Sequence, residues 1–292
     1  MPVIPDVRPF YDEPTGTFSY VVSDPVARKC AIVDPVLDYE ARAGRTGTVA
    51  ADAIAEYVKS AGLEIEWILE THAHADHLSA AQYLKSALGG RLAIGAGIRS
   101  VQAHFAKVFN FEPAFSADGS QFDHLFEADE QFTIGRLEAR VLATPGHTND
   151  SVTYLIGDAA FVGDTVFMPD SGTARCDFPG GDAVLLHESI QKLYALPAET
   201  RIFVCHDYAP GGREPRCETT VAEQRNANIH VRADTPAEEF VAMREARDAT
   251  LALPDLIVPS VQVNIRAGHL PPAEDNGLRY LKTPIDVLGR SR

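Results

Sequence analysis

The densest group of metal-capable side chains lies in residues 68–81, which read ILETHAHADHLSAA. Within six positions this stretch holds His72, His74, Asp76 and His77. Neutral imidazoles and ionised carboxylates are common nitrogen and oxygen ligands of divalent metals. Buried without a metal or another partner, such polar groups would cost free energy. The stretch therefore predicts a metal site at a turn between an apolar run and a helix-like run.

Three further residues of the same ligand chemistry occur later in the chain, each after a strand-like run. His147 lies in LATPGHTNDS, Asp164 in AFVGDTVF and His206 in IFVCHDY. A single His or Asp at the end of a strand is also compatible with a capping or surface role. Together with the first four residues, however, these three complete a set of seven potential ligands, which favours one shared metal centre.

Short β-rich runs and helix-like runs surround these residues and must position them. Periodicity and breaker residues predict strands over 18–23, 29–34, 66–70, 91–94, 138–143, 152–156, 160–162 and 202–205. They predict helices over 49–60, 78–88, 98–109, 183–196, 218–229 and 236–251. Strands that come first alone and later alternate with helices indicate layered sheets covered by helices.

The composition argues against several classes of partner. The chain has 41 acidic and 26 basic residues, a net charge of −15 and no basic run, so we expect no nucleic-acid partner. No apolar stretch approaches the ~18 residues that span a membrane, and the N-terminus does not read as a secretory signal. The four cysteines form no CxxC pair, so we expect reduced thiols in a cytoplasmic protein. Homo-oligomerisation stays open.

The ordered motifs THxHxDH, PGHT, GDT and HDY resemble the metallo-β-lactamase superfamily over roughly residues 15–210. The resemblance implies an α/β (α+β) fold, a four-layer αββα sandwich with a metal site at one edge between two sheets. We expect residues 1–210 to form the catalytic domain and residues 211–292 to form a helical extension packed on it. Because many functions share this fold, it does not decide the substrate.

Finer motifs resemble one branch of the superfamily, the persulfide dioxygenases. ETHAHADHLSAA has a small alanine between the second His and the Asp, and GHTNDSVTYLIGD, ARCDFPGGDA, VAEQRNAN and VNIRAG also look like that branch. This resemblance implies an oxidoreductase of sulfide detoxification. Such an enzyme uses non-heme Fe(II) and O₂ to oxidise glutathione persulfide to sulfite and glutathione.

Carried over to this chain, the resemblance implies one Fe(II) bound by three residues that are then also catalytic: His72, His147 and Asp164. It implies that four others either orient these ligands or bind a second metal: His74, Asp76, His77 and His206. Two histidines and one carboxylate leave coordination positions open, as oxygenase chemistry requires.

An anionic glutathione carrier needs local cations, because the net charge of the protein is −15. The arginine candidates are Arg175, Arg225 and Arg266, since a guanidinium matches a carboxylate geometrically. By position, His230 and Asn264 are the polar candidates for substrate contact.

One loop departs from the family pattern. Where family members carry a basic residue and a Cys after the GD motif, this chain reads MPDSGTARCDF. The loop is expected to border the substrate, so the thiol that carries the persulfide and the role of Cys176 stay open.

Two other functions remain compatible with the ligand set. A hydrolase of glyoxalase II type would bind two Zn(II), bridge them with Asp164 and attack a thioester with metal-bound hydroxide. All its ligands are present, so ligand identity does not separate it from the dioxygenase. The third alternative is a non-catalytic module that binds metal or senses sulfur.

Overall fold

A computed structural model describes residues 3–289 and contains fifteen strands and seven α-helices over that range. In chain order the strands are β1 Asp6–Asp12, β2 Thr17–Ser23, β3 Lys29–Val33, β4 Val36–Glu40, β5 Arg45–Gly47, β6 Glu64–Leu69, β7 Leu78–Ser79, β8 Arg91–Gly95, β9 His124–Phe126, β10 Gln131–Ile134, β11 Leu137–Ala143, β12 Val152–Ile156, β13 Ala159–Phe161, β14 Arg201–Phe203 and β15 Glu218–Thr220. The helices are α1 Val49–Ser60, α2 Ala81–Leu88, α3 Ile98–Val108, α4 Ala183–Tyr194, α5 Val221–Ala227, α6 Ala237–Asp248 and α7 Ile257–Asn264.

The strands form two six-stranded sheets and one small sheet. The first large sheet has the order β1-β2-β3-β6-β8-β9, and the second has the order β10-β11-β12-β13-β14-β15. The small sheet has the order β5-β4-β7.

Strand β2 is buried on both faces, and the alternation along it shows how the layers pack. Tyr20 and Val22 belong to the core between the two sheets, whereas Val21 packs in the core beneath α1, α2 and α3. On the other side, apolar residues of β13 and β14 pack in a third core with α4, α5 and α6. Successive side chains of a strand point to opposite faces, so a strand with helices on one side and a sheet on the other is buried along its whole length. These layers confirm the αββα sandwich.

Strand direction determines where the candidate ligands emerge. In the first sheet β3, β6, β8 and β9 are parallel. In the second sheet β11 and β12 are antiparallel, β12 and β13 are antiparallel, and β13 and β14 are parallel. The strands β11, β13 and β14 therefore run the same way. The segments with His147, Asp164 and His206 follow their carboxyl ends, as the first ligand segment follows that of β6.

The predicted elements are largely confirmed, but the helix predicted over 78–88 begins too early. Helix α2 starts at Ala81, because Leu78 and Ser79 pair with β4 instead. Both side chains are buried at this pairing. A tertiary contact therefore overrides the local helical pattern.

The prediction of a helix over 218–229 is also wrong for its first residues. Residues Glu218–Thr220 form β15, which pairs with β14 at the edge of the second sheet. Helix α5 begins only after Thr220, whose side chain accepts a hydrogen bond from the N–H of Glu223. Such a capped start is a sequence signal that the prediction overlooked.

Helix α7 was not predicted, because every residue but one along Ile257–Asn264 is buried and no amphipathic period marks it. It contacts β7, and its Asn264 donates hydrogen bonds to the carbonyls of His74 and His77 at 2.8 Å each. The division of the chain at residue 210 stays a prediction. Among residues 3–289, none of the helices has the length and apolar character needed to cross a bilayer.

A buried ion pair fixes α6 to the loop that follows the GDT motif. The guanidinium Nε of Arg244 lies 2.9 Å from Asp248 Oδ1, and both residues are buried. The other oxygen of Asp248 accepts the N–H of Cys176 at 2.8 Å, while Arg244 Nη1 donates to the carbonyl of Thr173 at 3.1 Å. The pair therefore ties one helix to two points of one loop.

Replacing Asp248 by Asn should lower the free energy of unfolding by about 3 kcal/mol, because it leaves the buried charge of Arg244 without its counter-ion. Chemical denaturation measures this change. The matched control is Glu245→Gln on the exposed side of the same helix, which should change stability by less than about 0.5 kcal/mol. Equal stabilities of the two variants would show that the ion pair does not anchor α6.

Candidate metal centre

The seven candidate ligands converge into two adjoining groups at one edge of the sandwich. The first group has one ligand atom from each of His72, His147 and Asp164, all within 4.8 Å of one another. The second group is formed in the same way by His74, Asp76, His77 and His206. All except Asp76 are buried. The fold therefore brings together every residue that the sequence nominated for metal binding, although their roles as ligands stay a prediction.

Several ligand atoms in these groups are buried and lack a hydrogen-bond partner among the described residues. They are His72 Nε2, His74 Nδ1, His77 Nε2, His206 Nε2 and Asp164 Oδ1. Leaving a buried polar atom unsatisfied costs about 1–3 kcal/mol, which a bound metal ion would remove. The donor set therefore fits a divalent transition metal.

The opposite ring nitrogens of His72 and His74 have partners that set their protonation. The hydroxyl of Thr71 donates to Asp34 Oδ2 at 2.9 Å, so its oxygen can accept from His72 Nδ1 at 3.1 Å. His74 Nε2 lies 3.0 Å from Asp34 Oδ1 and donates to that carboxylate. Each neutral ring then keeps a lone pair on its other nitrogen, which is the unsatisfied one. Such supporting contacts are typical of metal-bound histidines.

His147 and His206 are held in the same way. His147 Nδ1 donates to the carbonyl of Arg175 at 2.7 Å, which places the lone pair on Nε2, 3.5 Å from Asp164 Oδ2. His206 Nδ1 lies 3.2 Å from the hydroxyl of Thr17. The imidazoles are therefore oriented before any metal binds.

The protonation states suit metal binding. Burial lowers the pKa values of His72, His74 and His147, so these rings are neutral ligands at neutral pH. Burial raises the pKa of Asp164 to about 7, although the nearby imidazole of His206 opposes this rise. Because a metal ligand must be deprotonated, metal binding favours the ionised form of this carboxyl.

The geometry accommodates one ion or two. Asp164 turns Oδ2 toward His147 Nε2 and Oδ1 toward His206 Nε2, at 3.5 and 3.4 Å. Two ligands of one ion with bonds of about 2.1 Å lie at most ~4.2 Å apart, so both spacings are compatible with a shared metal. The carboxylate of Asp164 could therefore bind one ion or bridge two.

Gly163, the glycine of the GDT motif, allows β6 and β13 to approach at the metal centre. Its φ is +51°, and an added Cβ would lie 2.6 Å from Thr71 Oγ1. A larger residue would displace Thr71, which orients His72. The GDT motif therefore has glycine next to Asp164 because a larger side chain does not fit at this position.

A cavity of about 580 Å³ leads from the surface to the first group of ligands. His147 and Asp164 line it, together with Phe167, Phe178 and Tyr208. The ring of Tyr208 stacks over that of the ligand candidate His206, with 5.8 Å between their centroids. The size is within the range of small-molecule sites.

Two of the five predicted substrate contacts, Arg175 and His230, line this cavity. The guanidinium of Arg175 is already engaged, because its Nε and Nη2 bind the carboxylate of Asp177 at 2.6 and 2.9 Å and its Nη1 donates to the carbonyl of Ala252. Its backbone carbonyl, which orients His147, has a role that the sequence did not reveal.

The other three, Arg225, Asn264 and Arg266, do not line the cavity. Arg266 is buried, pairs with Glu112 at 2.7 Å and lies over an aromatic ring, so it has a structural role. Asn264 closes the ligand-bearing turn through the carbonyl contacts described above. Arg225 is exposed and makes one long contact, 3.4 Å to the carbonyl of Tyr194. These three residues therefore lie outside the lining of this cavity, and their contact with substrate stays a prediction.

The loop that departs from the family pattern borders the cavity through Asp170, which pairs with Arg213 at 2.6 Å. Met168 is buried. Cys176 is also buried, does not line the cavity and donates its N–H to Asp248.

Sequence reasoning overlooked several supporting residues at the centre. Asp34 orients His74, and Asp150 Oδ2 accepts the N–H of Ala73 at 2.8 Å within the ligand turn. Asp34 directly follows β3, so the same pattern of an acid at a strand end could have identified it. The buried Glu70, whose Oε2 lies 3.7 Å from His74 Nε2, directly follows β6 and carries the same signal.

Comparisons with known proteins agree with this fold and centre. Residues 12–206 match the family model described as the metallo-beta-lactamase superfamily. The chain is 56% identical to "Beta-lactamase hydrolase-like protein" of Agrobacterium fabrum, over 98% of this chain and 66% of that protein. The chain therefore spans slightly less than two thirds of that relative. It is 51% identical to "Glyoxylase B2" of Dictyostelium discoideum, over 97% of each protein.

Two more distant matches carry a different name. The chain is 29% identical to human "Persulfide dioxygenase ETHE1, mitochondrial", over 90% of this chain and 88% of that protein. The crystal structure of ETHE1 from Myxococcus xanthus is also 29% identical, with a TM-score of 0.72 over 90% of this chain and 100% of that one.

Replacing Asp164 by Ala should abolish metal binding, because it removes the one carboxylate of the first group. In elemental analysis of the purified variants, Asp76→Asn should keep most of its metal, since a supporting contact typically changes affinity by about 10–100-fold. Glu188→Gln, an exposed carboxylate on α4, is the control and should match the original protein. Full metal content in Asp164→Ala would show that the first group is not the binding site.

Proposed function

Because the chain belongs to the metallo-β-lactamase superfamily, we propose that it is a persulfide dioxygenase with one Fe(II) per chain. Its substrates would be O₂ and a low-molecular-weight persulfide, with glutathione persulfide as the leading candidate. The overall reaction consumes one persulfide, one O₂ and one water and yields the thiol and sulfite. When bound, Fe(II) supplies open coordination positions at which the persulfide sulfur and O₂ come within reacting distance.

The proposal rests chiefly on the first ligand group. Its two histidines are neutral and are held by hydrogen bonds on their far nitrogens, and His147 and Asp164 line the cavity. The cavity wall at this point is largely aromatic, and the ring of Phe178 packs edge-on against His147 with 5.3 Å between centroids. The residues of the chain thus hold the ligands rigidly, and the rings limit the access of water.

A single metal is part of the proposal, and the second ligand group then keeps contacts among its own side chains. Asp76 Oδ2 lies 3.1 Å from His206 Nε2 and accepts from the hydroxyl of Tyr208 at 3.4 Å, and Oδ1 lies 3.4 Å from His77 Nδ1. Burial alone would raise the pKa of Asp76, but the imidazoles of His206 and His77 hold it well below its usual range. A second ion would have to displace these contacts.

The rival function is a thioester hydrolase of glyoxalase II type with two Zn(II). Two observations favour it: the oxygens of Asp164 face both ligand groups, and a relative at 51% identity is named "Glyoxylase B2". The similarity to persulfide dioxygenases is lower in identity but covers nearly the whole chain. A non-catalytic metal-binding or sulfur-sensing module is the third alternative, and the open cavity at the ligands favours catalysis over it.

The chain spans about two thirds of the Agrobacterium relative, so the proposal concerns this chain alone. A cytoplasmic location, like the identity of the thiol carrier, remains part of the proposal. The main support is the geometry of the metal centre rather than any name carried by a relative.

The purified protein should consume O₂ when glutathione persulfide is added and release about one sulfite for each O₂. An oxygen electrode and a sulfite assay measure the two quantities. Glutathione without the extra sulfur is the substrate control, and His147→Gln is the variant control that should lose the activity. Hydrolysis of a glutathione thioester without O₂ uptake, together with two equivalents of zinc, would replace this proposal by the hydrolase.

A further inference from the structure

The charged side chains that line the cavity are not equally engaged. Outside the metal centre they are Asp170, Arg175, Arg244, Arg247 and Asp255. Three of them are paired at short distance: Arg175 with Asp177, Arg244 with Asp248 and Asp170 with Arg213. Within residues 3–289, no carboxylate lies within ion-pair distance of the Arg247 guanidinium, which leaves it available to a bound anion.

Arg247 projects from a helix whose position is fixed. It lies in the last turn of α6 and is exposed, whereas Arg244 and Asp248 on the same turn form the buried ion pair. The backbone of Arg247 is therefore anchored to the loop beneath it. A cation on a rigid element loses less conformational freedom on binding than one on a mobile loop.

His230 supplies a second donor on the cavity wall. Its Nδ1 accepts the N–H of Thr173 at 3.0 Å, so the neutral ring must carry its proton on Nε2. Asn228 Oδ1 accepts the N–H of His230 at 2.9 Å and fixes its backbone. The ring packs on Gly172, where an added Cβ would lie 2.1 Å from Nδ1. The Nε2–H group is therefore preorganised to donate to a bound molecule.

The charge state of His230 also depends on Arg247. Burial, together with the guanidiniums of Arg244 and Arg247, lowers the pKa of His230 to about 4. The ring is therefore neutral near pH 7 and keeps a single N–H donor. Both residues line the same cavity.

We propose that Arg247 and His230 form a carboxylate-binding subsite, which holds the thiol carrier while its reactive sulfur lies at the metal centre. A guanidinium can bind both oxygens of a carboxylate, and the imidazole N–H can donate to one of them. The identification of the carrier as glutathione rests on the proposed function. The prediction that the carrier has a carboxylate rests on the two donors, Arg247 and His230. Asp255 on the rim is compatible with the ammonium that accompanies a carboxylate in an amino-acid end.

We expect the contribution of Arg247 to carrier affinity to lie between that of a buried contact and that of a fully exposed one. A charge-assisted hydrogen bond in a dry site changes affinity by about 10–100-fold, whereas a fully exposed ion pair changes it by less than about fivefold. Arg247 is exposed in the free protein but faces a cavity that a carrier would fill. We therefore expect a loss of about tenfold in affinity when the guanidinium is removed.

The test measures binding by isothermal titration calorimetry, so it does not depend on turnover. The probes are glutathione and its diethyl ester, which lacks both carboxylates. Arg247→Met should weaken glutathione binding about tenfold and bring the two probes to similar affinities. Arg247→Lys should restore part of the difference, and His230→Phe should weaken binding while His230→Gln, which keeps a donor, weakens it less. Arg232→Met, an exposed arginine that does not line the cavity, should bind like the original protein.

The outcomes separate this subsite from the proposed reaction. In oxygen uptake with glutathione persulfide, Arg247→Met should raise KM about tenfold and change kcat little, at unchanged metal content. If the original protein does not bind glutathione, does not distinguish it from the ester, or does not differ from Arg247→Met, the subsite is overturned. If glutathione binds as expected but no persulfide-dependent O₂ uptake occurs, the subsite stands and the dioxygenase falls.

Discussion

The structure depends on crowding imidazole and carboxylate groups in one buried place and leaving their inward-facing atoms unsatisfied. Four imidazole nitrogens and one carboxylate oxygen lack hydrogen bonds at the centre. At about 1–3 kcal/mol each, their combined cost approaches the ~5–15 kcal/mol by which a native protein is stable. A fold that accepts such a cost requires compensating partners: a metal ion at the first group would satisfy His72 Nε2 and the Asp164 carboxylate, whereas the unsatisfied nitrogens of His74, His77 and His206 belong to the second group. The sheets, turns and helices hold these imidazole and carboxylate groups close together in a buried position.

The candidate ligands are oriented by contacts on the side of each imidazole ring that faces away from the metal centre. Thr71 determines which ring nitrogen of His72 carries the lone pair, and Asp34 does the same for His74. The carbonyl of Arg175 determines it for His147. That carbonyl belongs to a loop anchored by the buried Arg244–Asp248 pair, so α6 influences both the metal centre and the cavity wall. The candidate ligand His147 and the cavity wall are therefore linked through one loop. This link explains why residues after 210, which supply no candidate metal ligand, still belong to the site.

The sequence predicted the ligand set and the layered fold because both leave local signals. His72 to His77 lie within six positions, and the run 152–156 is largely apolar because the side chains on both faces of this strand are largely buried. Prediction from the sequence failed where a contact between residues distant in the chain determines the structure. Leu78 and Ser79 look helical but pair with β4, and α7 is buried nearly all round and shows no period. Arg266 looks like a carboxylate binder, but its partner Glu112 is distant in the sequence and is identified only in three dimensions. Arg247 drew no attention because nothing in its local sequence shows that α6 borders the cavity.

The central claim is that one metal ion, an iron, is bound by His72, His147 and Asp164. The most direct measurement is X-ray diffraction from crystals grown without added metal, with data collected on both sides of the iron absorption edge. The account predicts one anomalous peak per chain within bonding distance of His72 Nε2, His147 Nε2 and the Asp164 carboxylate, present above the edge and lost below it. Two peaks that flank Asp164, the second beside His77 and His206, with a signal at the zinc edge instead, would contradict it.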